Sequence, residues 1–186
     1  GDILDDIVRD DKRAGEVIRR LRAIFGSGKV MRERLSLNPV IHEVLKLVAG
    51  ELDARRVTLE TELADDLPPV SAGRVEVQQV LMNLLLNALR ALDSVQQRRI
   101  CVGSGCDGTR ALVWVQDSGP GVPLEQLETV FDSFSTSKAD GLGMGLAVCR
   151  RILEAHGSRI WAENPEGGGA RFSFTLPLAA EGDPDE

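Results

Sequence analysis

Residues 99–121 read RICVGSGCDGTRALVWVQDSGPG, and this stretch decides the fold. Arg99 to Gly103 and Arg110 to Gln116 carry β-forming residues on either side of Gly105 and Asp107-Gly108, which predicts a hairpin. Gly103-Ser-Gly105-Cys-Asp-Gly108 also fits G-x-G-x-x-G. A dinucleotide loop needs that pattern between a strand and a helix, whereas here it joins two strands. The second strand runs straight into Asp117-Ser118-Gly119-Pro120-Gly121, a carboxylate at a strand end followed by turn residues.

Working outward, Ala72 to Val95 predicts a long helix. Before it, Arg32 to Leu37 and Val57 to Leu63 alternate as strands, and between them Asn38-Pro39 opens a helix running to about Arg55, with Asn38 as N-cap. After the hairpin come a short helix from Pro123 to Phe131, a polar glycine-rich segment from Ser135 to Gly145, a helix from about Leu146 to His156, and a strand pair, Ser158 to Glu163 and Ala170 to Leu176. Helices mixed with mostly antiparallel strands predict an α+β two-layer sandwich, a mixed sheet with helices on one face. One long N-terminal helix precedes it. Leu4, Ile7, Asp11, Ala14, Ile18, Leu21 and Phe25 recur three and four apart, a coiled-coil-like seam ended by Gly26-Ser27-Gly28. The expected units are a helical segment over 1–27, a folded domain over 30–178 and a disordered acidic tail over 179–186.

The 186 residues carry 22 Lys and Arg against 29 Asp and Glu, a formal charge of −7 that disfavours direct nucleic-acid binding. No apolar run reaches the roughly 18 residues of a membrane span and no signal peptide opens the chain, so a cytoplasmic location is expected. Cys101, Cys106 and Cys149 form no C-x-x-C pair and read as reduced thiols. Gly26-Ser-Gly28-Lys29 is no P-loop, because Ala23 replaces the first glycine and Val30 follows the lysine. His42 reads as a surface helix residue, and His156 as a residue at a helix C-terminus facing the dipole.

Four patterns carry chemistry. Asn83 and Asn87, followed by Ala88, lie one turn apart on a helix face. Such amides can offer a hard oxygen to Mg²⁺, or can simply bond one another's neighbours in the core. Asp117 can accept a hydrogen bond from the exocyclic amine of adenine, with Gly119 and Gly121 allowing close approach; alternatively the segment is a plain turn. Phe131 and Phe134, followed by Ser135-Thr136-Ser137-Lys138, suit an anchored loop with a phosphate-seeking lysine, or core aromatics beside a solvated lysine. Gly141-Leu-Gly143-Met144-Gly145-Leu146 enters a helix, so successive backbone amides and the helix dipole suit phosphate better than a mere linker does.

In this order the four patterns resemble the N, G1, F and G2 boxes of the histidine-kinase branch of the GHKL ATPases, which have the Bergerat ATP-binding fold. The resemblance implies ATP and Mg²⁺ as cofactors. It implies Asn87 as metal ligand with Asn83 beside it, and Asp117 with Gly119 and Gly121 at adenine. It places Gly141, Gly143, Met144, Gly145 and Leu146 at the phosphates, Lys138 as a charge-stabilising residue, and Thr175 as a further contact. Hydrolytic relatives carry a Glu where this chain has Asn83, so Asn83 favours transfer over hydrolysis. The short lid resembles the oxygen-sensing and nitrogen-regulatory subgroup, although Ser133 stands where that subgroup has proline. Arg13-Ala14-Gly15-Glu16-Val17-Ile18-Arg19-Arg20 resembles the second helix of a dimerisation hairpin, whose first helix, bearing the acceptor histidine, would precede residue 1. The implied function is the catalytic part of a two-component sensor histidine kinase, homodimeric when whole, with a response regulator receiver domain as partner. The alternatives are a related serine kinase or ATPase, and a non-catalytic nucleotide-sensing or dimerisation module.

Overall fold

The computed structural model describes residues 32–132 and 145–180. The N-terminal helix expected over 2–25 and its dimerisation role, the Gly26 to Lys29 stretch, most of the lid, and the tail from residue 181 lie outside the described residues.

The sheet has five strands, β2 Thr58–Leu63, β4 Arg99–Cys106, β5 Arg110–Asp117, β6 Ile160–Glu163 and β7 Arg171–Pro177, in the order β2-β4-β5-β7-β6. Neighbours are antiparallel except β2 and β4, a parallel pair. A parallel pair demands a crossover, and the chain supplies one with β3 Val70–Ala72 and helix α2 Arg74–Ala91. Strand β1 Glu33–Leu35 pairs with β3 in a separate two-stranded ribbon. Helices α1 Leu37–Ala54, α2 and α3 Gly145–Ala155 are the α-helices among the described residues.

Period-2 alternation aims Ile100, Val102, Ala111, Val113, Val115, Phe172 and Phe174 at the helices. The helices answer at spacings of three and four: Val40, Ile41, Val44, Leu45 and Val48 from α1, and Val77, Val80, Leu81, Leu84, Leu85 and Ala88 from α2. The fold is therefore the two-layer α+β sandwich the pattern predicts.

Several local expectations change. The long helix expected from Ala72 to Val95 begins at Arg74 and closes in a 3-10 turn, Leu92–Ser94. Val70-Ser71-Ala72 pairs with β1 instead; all three are buried, so no alternation betrays the strand. Ser36, not Asn38, holds the N-cap position of α1. Asn38 donates to the Ala64 carbonyl at 2.7 Å and accepts from Ser104 Oγ at 2.8 Å, tying α1 to the ends of β2 and β4. The helix expected over Pro123 to Phe131 is a single 3-10 turn, Leu124–Gln126, followed by turns. The hairpin is as expected: Asp107 Oδ1 accepts from the Thr109 and Arg110 amides, and Gly108 takes φ +93°. Ala179, at the start of the stretch expected to be the tail, donates its amide to the Pro69 carbonyl.

His156 is buried, not merely at a helix end. Its Nε2 accepts from the Gly73 amide at 3.1 Å, and its Nδ1 lies 2.8 Å from the Ile152 carbonyl. The proton therefore sits on Nδ1. The ring fastens the last turn of α3 to the first residue of the α2 cap. His156→Ala should lower unfolding free energy by about 2–4 kcal/mol, by opening a cavity and orphaning the Gly73 amide. Urea denaturation checks this, and a loss under about 0.5 kcal/mol would show the link to be idle.

The β6–β7 turn lies on the end of β5. A Cβ at Gly169, where φ is +80°, would fall 1.8 Å from the Asp117 carbonyl oxygen; Gly168 has φ +87° with open space, and Gly167 has open space alone. Alanine at these three positions should grade accordingly. We expect almost no change at Gly167, about 1 kcal/mol at Gly168, and at least about 2–3 kcal/mol at Gly169. Equal losses across the series in urea titrations would contradict this close approach.

Candidate nucleotide-binding site

Asp117 ends β5 on the helix-facing side and is 3 % exposed. Its main-chain amide donates to the Ala170 carbonyl. Its Oδ1 accepts from the Gly119 amide at 2.8 Å and from the Ala170 amide at 3.4 Å. Its Oδ2 is buried with no hydrogen-bond partner among the described residues. Burial pushes the carboxyl above its ordinary value, and the two amide bonds oppose that shift. A buried acceptor without a donor is costly. This one is suited to a donor brought by a ligand, such as an exocyclic amine.

The loop after Asp117 is fastened at both ends. Ser118 Oγ donates to the Gln97 carbonyl and accepts from the Arg99 amide. Gly119 lies so close to the end of α2 that a Cβ there would sit 2.9 Å from the Ala91 carbonyl oxygen and 2.8 Å from Asp117 Oδ1. At Gly121, φ +82°, a Cβ would sit 3.0 Å from Asn164 Oδ1 and 3.1 Å from the Gly169 carbonyl. Asn164 grips the main chain of Val122 through both amide atoms. Asn164, Gly169 and Ala170 are site-building residues that the sequence reading missed. The only signal was the Gly167-Gly168-Gly169 run between the last two strands.

Asn83, Asn87 and Ala91 fall on one stripe of α2, four residues apart. Ala91 meets the Gly119 loop, while Asn83 Nδ2 donates to the Gly145 carbonyl at 3.4 Å. At 1.5 Å rise per residue that stripe is about 12 Å long. It runs from the start of α3 to the Asp117 loop, with half-buried Asn87 between them. Cys149, wholly buried beneath Asn83, has its thiol pushed up to about 12 by burial, with the Asn83 hydrogen bond opposing, so it is inert.

Phe131 is buried edge-on to Phe172, with ring centroids 6.0 Å apart. The Arg150 guanidinium covers it at 5.2 Å and pairs with Asp132 at 2.7 Å. The segment before the lid is thereby pinned to the helix after it. Gly145 and Leu146 form the first turn of α3. Phe134, Lys138, Gly141, Gly143 and Met144 lie outside the described residues. Thr175 does not join the site. It pairs with Leu112 on the sheet face away from the helices, and its Oγ1 accepts from Arg110 Nε at 3.2 Å. Four residues of β5 lie between Leu112 and Asp117, so Ala170, not Thr175, is the residue near the carboxylate.

Residues 72–180 match the family described as histidine kinase-, DNA gyrase B-, and HSP90-like ATPase. The chain is 38% identical over 179 residues to the sensor protein FixL of Bradyrhizobium diazoefficiens, covering 96% of this chain and 35% of that protein. It is 32% identical over 177 residues to the sensor histidine kinase TmoS of Ectopseudomonas mendocina, covering 93% of this chain and 18% of that one. The chain thus spans about a fifth to a third of these relatives' lengths. The catalytic domain of the histidine kinase ThkA superposes with a TM-score of 0.72 at 34% identity, covering 79% of this chain and 95% of that domain. A buried carboxylate with one uncommitted oxygen, a stripe of helix amides and a helix start, held on this sheet, thus coincide with a matched family, and the chain belongs to the histidine kinase-, DNA gyrase B- and HSP90-like ATPases.

Proposed function

We propose that this chain is the ATP-binding catalytic part of a sensor histidine kinase, passing the γ-phosphoryl of ATP to a histidine on its own dimerisation hairpin, for onward transfer to a response regulator. The carrying observation is the orphaned Oδ2 of Asp117, whose geometry suits an adenine amine. Sequence similarity supports the kinase reading: TmoS is a sensor histidine kinase and FixL a sensor protein. ThkA, 30% identical in its complex with the response regulator TrrA (TM-score 0.77, 94% of this chain and 50% of that one), supports the partner class.

Each part of the chain has a task in this reading. Asp117 takes the adenine amine, and Gly119 and Gly121 let the loop backbone lie flat against the base. The glycine loop ending at Gly145, together with Lys138, would take the triphosphate. Asn87 would hold Mg²⁺ through its amide oxygen, and the ion would supply charge neutralisation at the phosphates. Asn83 bridges to the start of α3 and, being an amide, has no basic group with which to activate water. Phosphoryl transfer needs positioning and charge stabilisation more than covalent help from the protein, which fits such a site. The N-terminal helix would pack in the dimeric hairpin and present the domain to its acceptor.

Asp117→Asn keeps an acceptor for the Gly119 amide but turns an NH₂ toward the adenine amine. Calorimetry should show ATP affinity falling by about 10–100-fold. The unliganded variant should be as stable as the parent or more so, because a buried charge is gone. The pH dependence follows from the raised carboxyl. Between the ordinary carboxylate value and the raised one, the folded state holds the extra proton. This group's contribution to stability therefore grows as pH falls and is lost as pH rises through the raised value. ATP binding should weaken as pH falls through that window, because Oδ1 already accepts from two amides and the proton then goes to Oδ2, the acceptor the amine needs. Near-parental affinity in Asp117→Asn would contradict the adenine assignment.

Incubating the chain with Mg-ATP and a separately made hairpin bearing the acceptor histidine should place acid-labile phosphate on the hairpin. Free phosphate alone would favour an ATPase, acid-stable phosphate a serine kinase, and no binding of Mg-ATP would remove the reading altogether.

A further inference from the structure

We infer that Asn164, at the turn after β6, is a positioning residue that fixes the far end of the 118–122 loop and thereby sets adenine selectivity. The inference rests on the adenine reading of Asp117. The near end of the loop is held to β4: the Ser118 amide donates to the Arg99 carbonyl at 3.1 Å, and its hydroxyl accepts from the Arg99 amide at 2.9 Å. The far end has Asn164. Its Oδ1 accepts from the Val122 amide at 2.9 Å, and its Nδ2 donates to the Val122 carbonyl at 2.7 Å.

This pair imitates one rung of an antiparallel ladder, with a side chain in place of a strand. A carboxamide offers a donor and an acceptor on two separate atoms side by side for that task, whereas a carboxylate only accepts and a hydroxyl must do both from a single oxygen. The orientation of the amide follows from its partners, since a backbone N–H requires the oxygen and a carbonyl requires the NH₂. The loop has few bonds of its own to substitute. Pro120 and Pro123 have no N–H, and Gly121, with φ +82°, takes a conformation that other residues resist. A Cβ at Gly121 would meet Asn164 Oδ1 at 3.0 Å and the Gly169 carbonyl at 3.1 Å, so the loop is threaded between the amide and the β6–β7 turn. Asn164 itself is exposed, and nothing requires it to touch a nucleotide. It acts through Val122 on the loop whose Gly119 amide holds Asp117 Oδ1. Loosening the far end lets that amide wander and blurs the aim of the carboxylate.

The test compares ATP with inosine triphosphate, which lacks the exocyclic amine, on the parent chain, Asn164→Ala and Asn164→Asp, by calorimetry with Mg²⁺ present. Thermal unfolding is followed in parallel. The parent should prefer ATP. Asn164→Ala should reduce that preference about tenfold, chiefly by weakening ATP, with its unfolding midpoint within a few degrees of the parent. Asn164→Asp keeps the acceptor but loses the donor, and should fall between the two. Unchanged preference in Asn164→Ala overturns the inference. So does equal weakening of both nucleotides with a large drop in midpoint, which marks a merely structural bond. A parent chain with no preference for ATP refutes the adenine reading instead, and removes the basis of this inference with it.

Discussion

A carboxylate held by one oxygen is the constraint on which the rest of this structure depends. Asp117 sits at the end of a central strand, buried, where ionisation is penalised. The amides that support its Oδ1 come from two separate places, Gly119 in its own loop and Ala170 at the threshold of β7. Both must approach within hydrogen-bonding distance while leaving Oδ2 without a donor among the described residues. That requirement explains why the surrounding backbone is so short of side chains. A Cβ at Gly119 would strike the carboxylate, and one at Gly169 would strike its carbonyl. The glycines clear the volume that the supporting amides need.

Helix α2 gives this carboxylate its relation to the remaining parts. Its apolar face, with Leu81, Leu84, Leu85 and Ala88, is buried in the core between helices and sheet, which fixes its rotation about its own axis. Rotation fixed in this way puts Asn83, Asn87 and Ala91 in line along one border. One end of that line touches the first residue of α3 and the other touches the Asp117 loop. The His156 link and the Cys149 thiol, which donates to the Val80 carbonyl, hold α3 alongside. Hydrophobic periodicity therefore determines the spacing of the polar groups.

Much of this was legible in the sequence, because patterns of local origin survive without coordinates. The hairpin announced itself by strand composition around Asp107-Gly108, and the Asn83 and Asn87 spacing and the turn after Asp117 marked the border of α2 and the end of β5 where those residues lie. What escaped was set by long-range contact. Asn38 satisfies every local rule for an N-cap, yet a tertiary partner on β4 outcompetes the helix end. Val70 to Ala72 is too short and too evenly buried to show a period. Ala170 contributes only main-chain atoms, which no side chain advertises. Asn164 finds Val122 across 42 residues. Thr175 was misplaced because the alternation in β7 was not carried through. Phe172, Phe174 and Leu176 point inward, so residue 175 must point away from the helices.

The other face of the sheet is closed in a different way. Among the described residues no helix lies over that face, and its own side chains cover it. One row across four strands runs Gly103, Trp114, Ser173, Trp161, small beside large. The Trp114 ring lies where a Cβ on Gly103 would be, within 2.0 Å of it, so the missing side chain is what lets the indole lie flat on β4. Ser173, between the two indoles, is only 3 % exposed despite facing away from the helices. The guanidinium of Arg171 stands over Trp114 at 5.8 Å, and that of Arg159 over Trp161 at 4.8 Å, carrying charge outward over an aromatic floor. Flat rings and the guanidiniums above them cover this part of the face. The helical layer is then free to leave its border open beside Asp117, and the polar groups that bind can sit at the edge of a core that is already closed.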